Sequence, residues 1–163
     1  MSNLQSFAKT RFAFLASTLC LGLGLAVPAR SGEKAITLKD APTAVQKTIG
    51  DQMKGGALRG LSVETEKGKT VYEAELTVDG RSKDLLIDGA GMVLEIEAEM
   101  ELSALPEAVR AGLQREAGKG SVTKVEQVTR GAAVSYEALV KEAGKKNREV
   151  VVGADGGPIA SKK

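Results

Sequence analysis

Tyr72-Glu73-Ala74-Glu75-Leu76-Thr77-Val78 comes back 64 residues later as Tyr136-Glu137-Ala138-Leu139-Val140, carrying both tyrosines of the chain with it. The same offset relates Pro42, Val45 and Ile49 to Pro106, Val109 and Leu113. An offset that holds from the helix-like start of a stretch to its strand-like middle marks duplication of one structural unit. Two copies are too few for a solenoid. The duplication therefore implies either a pseudo-symmetric pair of small domains or one fused sheet.

Within each copy the apolar period switches from helical to alternating. Asp40-Ala41-Pro42 opens a helix, because proline in the first turn gives up an N–H that has no partner there. Val45, Ile49 and Met53 follow at i, i+4 and i+8 as one apolar stripe, and Gly55-Gly56 stops it. Beyond Gly60 the residues alternate: Leu61, Val63 and Thr65 on one side, then Tyr72, Ala74, Leu76 and Val78 on the return. Asp79-Gly80 suits a tight hairpin whose central residues need positive φ. A third strand is expected over about 82–88. The fourth places Met92, Leu94, Ile96, Ala98 and Met100 on one face and Glu95, Glu97, Glu99 and Glu101 on the other.

The second copy repeats this with Leu105, Val109, Leu113 and Ala117 on a helix. Strands near 122–128, 133–140 and 148–152 follow it. The expected fold class is α+β, two tandem helix-plus-antiparallel-sheet units of one helix and three or four strands each. Their bounds are 38–101 and 102–160, after a short tail over 30–37 and before a Ser-Lys-Lys tail over 161–163.

Residues 1–29 belong to a different category. Lys9 and Arg11 precede a window from Phe12 to Ala29 without charge, and Val27-Pro28-Ala29 closes it with small residues. This is the pattern of a cleaved export signal, with Arg30 expected as the new N-terminus. A retained anchor is the competing reading, since the apolar window approaches the ~18 residues that a span needs. Lipidation at Cys20 fits poorly because bulky Leu19 precedes it. Export implies a periplasmic or secreted protein with no stable membrane insertion after cleavage.

Removal of the signal also removes Cys20, the one cysteine, so no disulfide is expected in an oxidising compartment. The chain has no histidine, which withdraws the usual general base and zinc ligand. Two of its 23 basic residues and none of its 21 acidic ones lie in the signal, leaving 21 against 21. A neutral mature chain gives no electrostatic reason to expect nucleic acid as a partner. No cofactor is expected either.

One constellation of like groups stands out, the acidic strand Glu95, Glu97, Glu99 and Glu101. Residues two apart on a strand share a face about 6.6–6.8 Å apart. That spacing is compatible with the carboxylate pair of an inverting glycosidase or with calcium ligation. The simpler expectation is a solvated strand face whose charge discourages edge pairing. Tyr72 and Tyr136 share parity with the apolar residues and should pack under the helices. Glu73 and Glu137, on the opposite face, are then the better contact residues. Gly89-Ala90-Gly91 and Asp155-Gly156-Gly157 lack the lysine and following helix of a phosphate loop and are read as hairpin turns.

Leu105-Pro106-Glu107-Ala108-Val109, the paired Tyr-Glu-Ala strands and Asp88-Gly89-Ala90-Gly91-Met92-Val93-Leu94 together resemble the PepSY-like domains of secreted bacterial proteins. The tandem fold of those domains is similar to that of β-lactamase inhibitory protein. The first copy departs from the pattern with Ala41-Pro42 in place of Leu-Pro. The resemblance implies a non-catalytic protein-binding or inhibitory module, with a secreted peptidase as the suggested partner, and it brings no catalytic residue. Glu73, Glu137, Glu95, Glu97 and Glu99 are the expected partner-binding residues. The alternative is a calcium-binding protein or hydrolase that uses the acidic strand.

Overall fold

Proline sets the start of both helices. In the computed structural model, which describes residues 33–66 and 68–159, Pro42 and Pro106 stand immediately before α1 (Thr43–Met53) and α2 (Glu107–Ala117). Positive φ at Lys54 and Gly118 ends them. The expected export signal with Cys20 and the expected 161–163 tail lie outside the described residues.

The strands are β1 (Lys34–Ala35), β2 (Ala57–Glu66), β3 (Lys69–Val78), β4 (Arg81–Asp88), β5 (Val93–Glu99), β6 (Ser121–Arg130), β7 (Ala133–Lys141) and β8 (Arg148–Gly153). Asp79 and Gly80 both carry positive φ between β3 and β4, as a two-residue hairpin requires. All pairings are antiparallel and follow chain order, giving one eight-stranded sheet.

That single sheet corrects the expected fold class of two tandem helix-plus-sheet units. The join is made by β5, whose Ile96–Glu99 pair with Thr129–Glu126 of β6. Two separate sheets would each leave a row of unpaired backbone donors and acceptors at this edge, and the pairing satisfies both rows. Alternation in a sequence reports which face a residue occupies. It says nothing about which strands are neighbours.

The duplicated pattern also begins earlier than the sequence suggests. Lys34 and Ala35 pair with Val63 and Ser62, and Ala98 and Glu99 pair with Gln127 and Glu126. Ile36 N donates to Leu61 O, and Met100 N to Val125 O, each at 2.9 Å. So β1, in the stretch where only a tail is expected, takes the role that the end of β5 takes 64 residues later.

Both helices lie on one face of the sheet, each over its own apolar cluster. Val45 and Ile49 of α1 pack with Leu61, Ala74, Leu76, Leu85 and Ile87. Val109, Leu113 and Ala117 of α2 pack with Val125, Tyr136, Ala138, Val140, Val150 and Val152. Tyr136 is 7% exposed. Tyr72 is only half-buried and walls an open groove of about 620 Å³ with Lys34, Ile36, Thr37 and Val63. The two rings share a face but differ in cover.

The turns Gly89–Gly91 and Asp155–Gly157 seat against the helices. Thr48 Oγ1 donates to Gly91 O at 2.7 Å, and Arg115 donates to Gly156 O at 2.9 Å. Gly156 has φ +75°, and a Cβ there would collide with the carbonyl of Ala108; Gly144 has φ +74° but faces open space. Gly144→Ala should therefore cost only the left-handed strain, about 1–2 kcal/mol. Gly156→Ala should cost about 1–3 kcal/mol more from overpacking. Equal urea midpoints for the two variants would refute this seating.

Candidate functional site

Strand alternation sends every second side chain of β2–β8 to the face away from the helices, and that face is acidic. The register arranges the carboxylates in rows across the strands. Glu75, Asp84 and Glu97 are lateral neighbours on β3, β4 and β5. Glu99, Glu126 and Glu137 are lateral neighbours on β5, β6 and β7. Glu73 and Glu95 lie on either side of Leu86, and Glu149 stands opposite Leu139. Side chains directly opposite one another have Cβ atoms about 4.5–5.5 Å apart, so like charges here repel.

Two cations answer part of this charge. Arg130 grips Glu95 with Nε and Nη2, the latter 2.7 Å from Oε1. Lys124 Nζ lies 2.7 Å from Glu126 Oε1. Ser82 Oγ donates to Glu99 Oε2 at 3.0 Å.

The face is far from fully hydrated. Val71, Val128 and Val151 lie in it and are buried, covered by their neighbours. Glu126 and Glu137 are 5% and 3% exposed. A carboxylate withdrawn from water favours its neutral form. Burial, followed by a hydrogen bond with Glu95 and the charge of that residue, pushes Glu97 up to about 9. Burial and then Glu149 push Glu137 up to about 8. Burial and then Glu33 raise Glu73 to about 7. Burial and then Glu126 raise Asp84 to about 6, and the same two causes raise Glu149.

The expected contact residues thus share one face but not one environment. Glu97 meets Asp84 and Glu126, one carboxylate oxygen of each lying within 4.8 Å of the others. Glu137 stands beside Glu126 with its Oε1 unbonded. Glu95 is held by Arg130 and Glu99 by Ser82, whereas Glu73 sits nearer the β2 side, opposite Ser62. A splayed, hydrated ladder on one strand is not what forms. Asp84, Glu126 and Glu149 complete the cluster, and the sequence pattern does not single them out. Their parity is legible, but only the register of five strands shows that they meet.

No family model matches the sequence, and no curated protein does. Solved structures do match in fold. A candidate periplasmic protein from Bacteroides eggerthii superposes with a TM-score of 0.61 at 17% identity, covering 74% of this chain and 86% of that one. A BLIP-like protein from Bacteroides fragilis gives 0.57 at 20% identity, covering 75% and 85%. A DUF2874 family protein from Bacteroides ovatus gives 0.59 at 15% identity, covering 74% and 85%. The fold is therefore BLIP-like, and none of these three is named for a catalytic activity. Among the described residues no helix is long and apolar enough to cross a membrane.

Proposed function

We propose that the chain is an exported, non-catalytic protein-binding module of PepSY-like type whose acidic sheet face receives a basic surface of its partner. The observation that supports this most is the imbalance on that face. Lys124 and Arg130 stand among carboxylates contributed by β3 to β8, and several of those are raised in pKa by burial and by one another. A basic partner would supply the missing charge, gaining on-rate and specificity from the complementary fields. The likeness to a BLIP-like protein and to a candidate periplasmic protein favours an inhibitory or sequestering role in the periplasm, with a secreted peptidase as the partner.

Glu73 and Glu97, half-buried, and Glu137, buried, carry this reading better than the whole ladder does, because Glu95 and Glu99 already have partners. At about pH 9, where most of these carboxyls are ionised, capture of exported proteins on the immobilised protein should be lost on changing Glu73, Glu97 and Glu137 together to glutamine. It should also weaken as salt rises, since exposed charges are screened over about 8–10 Å near physiological ionic strength. Capture of the same proteins by the triple variant, at every salt concentration, would overturn the proposal.

A further inference from the structure

We propose that the outer edge of β8 is a docking edge for residues 160–163 of this same chain. Laid there, they supply the fourth strand that the first copy has in β5 and the second copy lacks, and they set Lys162 beside Glu149. The four residues lie outside the described part of the structure. The inference goes beyond protein binding and does not depend on it, because the contact is made within one chain.

The edge has a known direction. In an antiparallel sheet, successive residues turn their backbone groups to opposite neighbours. Gly153 N donates to Gly157 O at 2.8 Å and Ile159 N to Val151 O at 2.9 Å, so Gly153 and Val151 face away from β7. Glu149 is the next residue in that series. Among the described residues β8 ends the sheet, and the chain beyond it bridges back only at Val152 with Pro158. The N–H and C=O of Glu149 therefore lie on an edge that templates a further strand.

The duplication supplies the register, and the charges agree with it. In the first copy Ile87 pairs with Val93, the register then shifts, and Leu86, Leu85 and Asp84 pair with Glu95, Ile96 and Glu97. Val152 and Pro158 stand 65 residues after Ile87 and Val93, and they form the equivalent bridge. Continued as in β5, the chain puts Ala160 opposite Val151, Ser161 opposite Val150 and Lys162 opposite Glu149. The last pair matches Asp84 with Glu97, with a cation in place of one acid, and opposite residues share a face. Glu149 lacks such a neighbour: its Oε1 is buried without a hydrogen-bond partner. Burial and then Glu126 raise its pKa, and its charge in turn bears on Glu137. A carboxylate oxygen out of water without a donor is costly, and the Lys162 ammonium brings both a donor and the opposite charge. Lys163 falls opposite Arg148, whose guanidinium already donates to the carbonyls of Glu116 and Ala117. It has no acid to meet there and serves as the control.

The test is amide exchange and carboxyl titration by NMR, on the protein and on a chain shortened to end at Ile159. The shortening removes no described residue, so both chains keep the fold. The Glu149 amide should exchange at least about tenfold more slowly in the full chain, as expected of a paired edge amide. In the full chain Lys162→Ala should move the Glu149 carboxyl titration up by about one pH unit or more, the effect of losing an opposite charge at short range. Lys163→Ala should leave it unchanged. Equal exchange of the Glu149 amide in the two chains would overturn the docking: fast in both means an empty edge, and slow in both means that a second copy covers it. Equal titrations in Lys162→Ala and Lys163→Ala would overturn it as well, since no lysine would then be placed beside Glu149. None of these outcomes affects capture of a basic protein partner.

Discussion

Raising the pH from about 5 to about 9 in the presence of EDTA should lower the melting temperature, and Glu97→Gln combined with Glu137→Gln should flatten that decline. The sign follows from proton counting. Glu97, Glu137, Glu73 and Asp84 have folded values near 9, 8, 7 and 6, against ordinary values of 4.5 for glutamate and 3.8 for aspartate. Between the ordinary and the raised values the folded state binds more protons than the unfolded state, so stability falls as pH rises. The contribution is fully present below about 4.5 and is lost by about 9. Asp40, held low by Thr37, works the opposite way, but only in acid. A tenfold change in the acidity of one carboxyl on folding corresponds to about 1.4 kcal/mol, and relaxation in the folded state trims the total to the order of several kcal/mol. For a chain of this length that is on the order of 10 °C. Glutamine imitates the protonated acid, so the double variant should melt higher than the parent at alkaline pH. A flat or rising profile would mean that the face is hydrated and its carboxyls ordinary.

Tyr136→Ala should destabilise the protein by about 3–5 kcal/mol, the usual cost of deleting a buried aromatic ring. The ring is 7% exposed and belongs to the cluster beneath α2, with Met100, Leu102 and Val134 packed against that cluster. Tyr72→Ala should cost clearly less. Its ring is half-buried and borders the groove behind β1, where water can fill part of the space left. Urea denaturation of the two variants checks both numbers. Equal losses would mean that the groove closes over Tyr72 in solution.

Period and turn chemistry are enough to read most elements of this chain. Val45, Ile49, Val109 and Leu113 announce the buried stripes of the helices, and Asp79-Gly80 announces its hairpin. Parity places Glu73 and Glu137 opposite the tyrosines, where the structure has them. Two things escape such a reading. The fusion into one sheet depends on backbone edges meeting at Ile96–Glu99, and backbone groups are the same in every residue type. The cluster of Asp84, Glu97 and Glu126 depends on lateral register over three strands, set by hairpins and by the shifts at Leu86/Ile87 and Val122/Lys124. The burial of the glutamates is likewise hidden, because a strand written Glu-x-Glu-x-Glu looks hydrated until its neighbours are known.

The join between β5 and β6 has a consequence for amide exchange. It consists of four register pairs, Ile96–Glu99 with Thr129–Glu126, whereas β2–β3 and β6–β7 have nine each. The buried residues of each apolar cluster stay with their own helix on their own side of that join, with Met100 at the end of β5 reaching across to the second cluster. Rare opening excursions should therefore begin there, exposing the amides of these strand segments to deuterium before those of β3 or β7. Because Asp84 and Glu97 lie on one side of the line and Glu126 on the other, a basic group of a partner docked among the three would act as a clasp, and the amides at the join would report its arrival by slowing first.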